Sequence, residues 1–99
     1  MKYCIDVDGT VCRTIGEDYQ NATPIYAAVQ LIKKMKKDGH YIILFSARGS
    51  MTGIDWRPLT LQQMELWGVP FDELILGKPA ADIYIDDRAL PAQIWHQLM

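Results

Sequence analysis

Tyr41-Ile42-Ile43-Leu44-Phe45-Ser46 is an unbroken β-prone run of strand length. A strand that is apolar at successive positions, rather than at every second one, is expected where both faces of a parallel sheet are covered. Upstream of it, Thr23-Pro24 predicts a helix N-cap followed by proline at the first helical position. Ile25, Ala28, Val29, Ile32 and Met35 then recur at helical spacing, and Gly39 closes the helix after a lysine-rich last turn. Those lysines (Lys33, Lys34, Lys36 and Lys37) read as a solvated face that complements the helix dipole. Downstream, residues 47–55 carry two glycines and read as a loop. Residues 58–67 predict a second helix, with Leu61, Met64 and the Leu66/Trp67 pair on its apolar side and Gly68 at its end.

The rest of the chain extends this alternation. Tyr3-Cys4-Ile5-Asp6-Val7-Asp8 is a strand ending at Gly9, and residues 11–21 are polar and irregular, which predicts a loop. Residues 73–76 are a short strand closed by Gly77, and Asp82-Ile83-Tyr84-Ile85-Asp86 predicts a fourth. Residues 91–98 make a closing helix with Leu90, Ile94, Trp95 and Leu98 facing inward. The order βαβαββα implies an α/β fold with a largely parallel sheet. At 99 residues, 49% of them apolar and 22% charged, the chain reads as one globular domain over 1–99. No apolar run approaches bilayer length, and an N-terminus that runs from one lysine into Asp6 and Asp8 is not expected to act as a secretory signal. The net charge of −2 and the lack of a basic stripe argue against nucleic acid or an anionic membrane as partner. Cys4 and Cys12 make no disulfide framework and too few ligands for a zinc site, so a cytoplasmic location is expected. His40 and His96 lie far from every motif and are expected at the surface or as caps.

A parallel sheet binds ligands beyond the carboxyl ends of its strands. The first strand ends in Asp6-Val7-Asp8-Gly9-Thr10, the second in Ser46-Ala47-Arg48-Gly49, the third in Gly77-Lys78-Pro79 and the fourth in Asp86-Asp87-Arg88. Carboxylates converging at one edge repel one another unless a cation sits among them, and hard oxygen ligands with room for water select Mg²⁺. Such an ion also lets an anionic phosphate approach a carboxylate. Lys78, the Ser46 hydroxyl and nearby backbone N–H groups are suited to hold phosphoryl oxygens.

These four stretches resemble the four motifs of the haloacid dehalogenase (HAD) superfamily. Asp6-Val7-Asp8-Gly9-Thr10 is similar to its DxDGT signature, Ser46 to the second motif, Lys78 to the third and Asp86-Asp87 to the acidic pair of the fourth. The resemblance spans residues 6 to 87 and implies a Rossmann-like core of about four parallel strands in the order 3-2-1-4. It implies Asp6 as nucleophile, Asp8 as general acid and base, and a phosphomonoester hydrolysed through an aspartyl-phosphate. By the same resemblance Asp6, Asp8, Asp86 and Asp87 hold Mg²⁺, with Asp87 favoured over Asp86 as the direct ligand. Thr10, Ser46, Ala47 and Lys78 contact phosphate. Arg48 lies outside the motifs; it either reaches the phosphate or another anionic group of the substrate, or faces solvent from the loop. Neither gap between motifs has room for a cap domain, so a capless enzyme with an open site is expected, or one covered by a second copy in a homo-oligomer. Trp56, Trp67, Phe71 and Trp95 are the aromatic candidates for such a surface, or for the core.

A narrower resemblance rests on Gly39-His40-Tyr41-Ile42-Ile43, Ser46-Ala47-Arg48-Gly49 and the run from Gly77-Lys78-Pro79 to Asp86-Asp87. These are similar to small HAD modules of bacterial capsule and surface-polysaccharide synthesis, which implies a sugar phosphate or related metabolite as substrate. Two other classes fit less well. A receiver domain needs its acceptor aspartate on a middle strand, where this chain has Ser46 and Leu76-Gly77. An EF-hand needs a helical entry and a glutamate at the loop's end, and the first Glu is Glu17. The alternative that keeps the fold is a subunit that binds a phosphorylated ligand for regulation, with little or no turnover.

Overall fold

The computed structural model describes residues 1–98. A three-stranded parallel sheet in the order β1-β4-β5 forms the centre, from β1 (Lys2–Asp6), β4 (Tyr41–Ser46) and β5 (Glu73–Leu76). Helix α1 (Tyr26–Lys37) connects the first two strands and α2 (Arg57–Trp67) the last two. A two-stranded antiparallel ribbon, β2 (Cys12–Arg13) with β3 (Thr23–Pro24), rises from the segment between β1 and α1. The chain closes with the single-turn α3 (Ala92–Trp95) and a 3₁₀ turn over His96–Leu98. None of the helices is long and apolar enough to cross a membrane, among the described residues.

The sheet register sets Ile5, Leu44 and Leu74 side by side on one face, with Tyr3 beside Ile42. Val29 and Ile32 of α1, Met64 of α2 and Val69 join these strand residues in a single core cluster. Both helices therefore pack on the same face. Successive right-handed crossovers that advance across the sheet in one direction must do so. The opposite face carries Cys4, Ile43, Phe45 and Ile75; Cys4 and Ile75 are exposed and the other two half-buried. The central strand is thus covered on one face only, not on both.

Several local expectations change for identifiable reasons. Helix α1 starts at Tyr26 after Ile25, because Thr23–Pro24 is drawn into the ribbon opposite Arg13 and Cys12. Its C-terminal end follows the pattern, with Gly39 at a φ of 88°. In α2 the buried residues are Thr60, Gln63 and Met64, while Leu61 and Leu66 are exposed. Of the residues placed inward on the closing helix, Trp95 packs against the core, whereas Leu90, Ile94 and Leu98 are exposed. Trp67 and Phe71 also pack against the core, which removes them as surface candidates.

The largest departure is residues 82–86, which join no ladder; Ile83 is 74% and Ile85 95% exposed. The connection explains this. The Lys78 backbone N–H donates to Ser46 O (3.0 Å), which fixes the chain at the carboxyl edge of the sheet. A parallel strand beside β1 must begin at the opposite edge, and parallel neighbours need a crossover of about a dozen residues. Residues 77–81 are too few.

Candidate active site

The site forms where β1 runs out. Asp6 is the last residue of that strand, and the following turn is pinned by the Thr10, Val11 and Cys12 backbone N–H groups, all donating to Val7 O. Gly9, at a φ of 87°, takes a left-handed backbone that a residue with a side chain rarely adopts. The turn returns Thr10 to Asp6, and Thr10 Oγ1 donates to Asp6 Oδ2 at 3.3 Å. Across 72 residues of sequence, Lys78 Nζ donates to Asp6 Oδ1 at 3.2 Å. Burial raises the Asp6 pKa above the ordinary carboxylate value, with the Lys78 ammonium and the Thr10 hydroxyl opposing and Asp8 adding to the rise.

Asp8 has a different environment. Arg48 grips it with two hydrogen bonds, Nε to Oδ2 at 3.0 Å and Nη2 to Oδ1 at 2.9 Å. Thr14 Oγ1 donates to Oδ1 at 2.5 Å and Cys12 Sγ at 3.5 Å. Burial alone would push the Asp8 pKa up, but the hydrogen bonds from Arg48 and Thr14 outweigh it and leave it below the ordinary value. The two carboxylates of one turn are thus moved in opposite directions.

Arg48 is 2% exposed, so it neither faces solvent nor extends outward from the loop. Each of its five N–H groups has an acceptor: two on Asp8, Thr60 Oγ1 at 3.0 Å, Gln63 Oε1 at 2.6 Å and Cys12 Sγ at 3.7 Å. The Tyr19 ring lies 4.8 Å from the guanidinium. Gln63 Nε2 passes the connection on to Tyr19 O at 2.6 Å, and Thr60 Oγ1 to Trp56 O at 2.7 Å. A buried guanidinium is tolerable only with its donors satisfied. That requirement explains why α2 turns polar residues inward. Thr60, Gln63, Thr14 and Tyr19 are the site residues that the sequence reading missed. The signal for them was weak: two polar residues three apart on a helix whose leucines do not share one face.

Asp6, Asp8, Ala47, Arg48, Lys78 and Tyr84 line an open cleft of about 220 Å³ together with Gly16 and Tyr19. Ser46 lies beneath it, 1% exposed, its Oγ accepting the Arg48 backbone N–H at 3.0 Å. The Tyr84 ring covers Lys78 Nζ at 4.2 Å, and Tyr84 OH donates to Pro79 O. His96, expected as a surface or capping residue, sits with Nε2 2.7 Å from Thr10 O. A second hollow of about 130 Å³ shares Tyr19 and Ala47 with the cleft and continues to Glu17, Thr52 and Trp56.

Asp86 and Asp87 are not brought to this cleft. Both are exposed, and Asp86 Oδ1 accepts the Arg88 backbone N–H at 2.9 Å instead. Among the described residues no three of His, Cys, Asp and Glu gather into a group able to hold a metal ion. Asp6 and Asp8 alone, one paired with Lys78 and the other with Arg48, are a poor fit for Mg²⁺ within a single copy of the chain.

No protein-family model matches the chain, and no curated protein matches it. Two solved structures are similar. A crystal structure of a Vibrio cholerae protein is 27% identical with a TM-score of 0.90, over 99% of this chain and 89% of that one. A chain in a structure of a Pnkp1/Rnl/Hen1 complex is 21% identical with a TM-score of 0.62, over 99% of this chain and 34% of that one, a likeness of fold alone.

Proposed function

We propose that the chain is a phosphohydrolase of the haloacid dehalogenase type that attacks the phosphorus of a small phosphomonoester with Asp6. The observation that carries this reading is the contact of Lys78 Nζ with Asp6 Oδ1 at 3.2 Å, at the mouth of an open cleft beyond the strand ends. Burial makes Asp6 a more basic carboxylate, hence a better nucleophile, while Lys78 holds it ionised. The same ammonium faces the cleft, where it attracts the phosphate dianion and neutralises the charge that grows on the equatorial oxygens.

In the first step an Asp6 Oδ–P bond forms as the P–O bond to the leaving group breaks. In the second, water attacks that phosphorus, releasing inorganic phosphate and regenerating the Asp6 carboxylate. The leaving oxygen needs a proton in the first step and the water must lose one in the second; the resemblance assigns both transfers to Asp8, the second carboxylate of the cleft. The neighbouring hollow accommodates the leaving group. Its Trp56 and Tyr19 rings, packed edge to face at 4.9 Å, and the polar Glu17 and Thr52 suit the apolar face and hydroxyls of a sugar. This supports a sugar phosphate, and with it a place in polysaccharide synthesis. Mg²⁺ dependence belongs to the proposal through the resemblance alone, since among the described residues no three metal-ligating side chains gather.

One observation favours the second reading, a phospho-ligand-binding subunit with little turnover. Asp8 is held as a carboxylate by Arg48, and a carboxylate has no proton to give. Phosphate release from a panel of sugar phosphates, nucleotides and small acid phosphates, with and without Mg²⁺, separates the two. Turnover that requires Mg²⁺ and is lost at least a thousandfold in Asp6→Asn is the expected result. Saturable binding of the same esters with equal inertness of wild type and variant would replace hydrolysis by binding.

A further inference from the structure

We propose that the site takes esters whose single anionic group is the phosphate under attack, and that Glu17 excludes leaving groups bearing a second negative charge. This rests on the phosphohydrolase reading for its chemistry, but the charge filter itself is a property of binding.

The cleft and the hollow beside it differ in charge. Among the described residues, Arg48 and Lys78 are the cations that line the cleft, and no lysine or arginine lines the hollow. A substrate with two anionic groups needs a positive partner for each, because an anion taken out of water without one is costly. Lys78 is committed to the reacting end, with Nζ 3.2 Å from Asp6 Oδ1 and the Tyr84 ring over it at 4.2 Å. Arg48 cannot serve a second anion either. It is buried, with two N–H groups on Asp8 and the others on Thr60, Gln63 and Cys12. To reach a ligand it would have to abandon its ion pair with Asp8 at 2.9 Å.

The hollow presents a carboxylate instead. Glu17 stands on its wall with Thr52, beside the apolar Met51, Ile54 and Trp56. The backbone around Glu17 is tied down. Glu17 O accepts the Tyr19 N–H at 2.8 Å, and the Asp18 N–H donates to Ile15 O at 3.0 Å. Tyr19 is held in turn by Gln63 Nε2 on its carbonyl at 2.6 Å and by the edge of the Trp56 ring system at 4.9 Å. The charge of Glu17 is felt at the shared wall of the two spaces. Burial first, then Asp8 and Glu17, raise the pKa of the Tyr19 hydroxyl. Three carboxylates (Asp6, Asp8 and Glu17) thus line the adjoining spaces against two cations. A sugar hydroxyl donates to Glu17 and an ammonium is attracted, whereas a carboxylate or second phosphate is repelled. Two like charges ~6 Å apart near a protein surface repel enough to weaken binding roughly tenfold.

Glucosamine 6-phosphate, glucose 6-phosphate and 6-phosphogluconate test the filter on the whole chain. At pH 7 they carry, beyond the phosphate, a cation, no charge and an anion. Binding is read by calorimetry and turnover by phosphate release with Mg²⁺ present, in wild type, Glu17→Gln and Glu17→Lys. Glu17 is exposed, so neither variant disturbs the core. Wild type is expected to bind the gluconate at least tenfold more weakly than the glucose ester, and the glucosamine ester at least as tightly. Glu17→Gln should close most of that gap and Glu17→Lys should reverse it, which separates charge from the open-chain shape of the gluconate. Salt at about 0.5 M should narrow the gap in wild type and leave Glu17→Gln unmoved. Equal binding of the gluconate and glucose esters by wild type, a gap of one size in all three proteins, or no binding of any ester overturns the filter. Phosphate release without the charge order removes the filter and leaves the phosphohydrolase reading. The charge order in binding without phosphate release supports the filter and removes that reading instead.

Discussion

Replacing Arg48 with Met keeps an unbranched stem as far as the position of Nε and removes five donors at once. Asp8, Thr60 and Gln63 then lose their partner in the interior. Breaking a buried pair costs about 3–5 kcal/mol. Asp8 keeps 26% of its side chain in water, so Arg48→Met is expected near the lower end, ~3 kcal/mol, in urea unfolding. The acid limb of stability carries the second signature. The folded Asp8 pKa is depressed, so its contribution is fully present above the unfolded carboxylate value of about 4 and is lost as pH falls through the lower folded value. Wild type should therefore lose stability below about pH 4, and Arg48→Met should show a shallower acid limb in the same titration. Cys12 is a further check, since burial pushes its thiol up to about 11. It should resist alkylation at pH 8 in the folded protein and react at once on unfolding. At this scale Asp6, Asp8, Thr10, Ser46 and Lys78 were legible because each stands at a strand end or turn in a spaced pattern. The role of Arg48 was not, because its acceptors Thr60 and Gln63 lie 12 and 15 residues away on another element, a separation without a sequence period.

Between β4 and α2 the loop turns on Gly49, whose φ is 81° and whose missing side chain would stand 2.2 Å from Ile54 O. Neither the backbone angle nor that carbonyl yields cheaply. Gly49→Ala is expected to destabilise by about 2 kcal/mol and to lower Tm by roughly 10 °C, read by calorimetry. On α2, Gln63→Leu preserves bulk but leaves one guanidinium N–H without a partner and Tyr19 O with the Ala22 N–H alone, an expected loss of about 1–3 kcal/mol. Thr60→Ser, which retains the hydroxyl, should lose under ~1 kcal/mol by comparison. The elements themselves were legible where apolar period and punctuation agreed. Strands 2–6, 41–46 and 73–76 and the end of α1 at Gly39 follow their patterns. The β2–β3 ribbon was not legible, because two-residue strands have no period, and their pairing also removed Thr23-Pro24 from the start of α1. The face of α2 misled for a related reason: a helix that serves a buried arginine follows hydrogen-bond demand, not hydrophobic spacing.

Across the whole molecule, three strands and two helices on one face leave a free sheet edge, a half-covered second face and an exposed strand-like segment. The α/β class was legible from the alternation of elements. The fourth strand was legible only as a propensity, because pairing depends on whether the connection can reach, and a chain of five residues cannot cross back over a sheet. That limit is adjustable. Eight Gly/Ser residues inserted between Ala80 and Ala81 lengthen the connection from five residues to thirteen, past the dozen or so that a parallel crossover requires. Residues 82–86 then reach β1 of their own chain. Loop closure over the added residues costs only about 1 kcal/mol. Amide hydrogen exchange should therefore slow across residues 82–86 in the lengthened protein relative to the wild type. Equal exchange in the two proteins would show that something other than the length of the connection keeps the segment off β1.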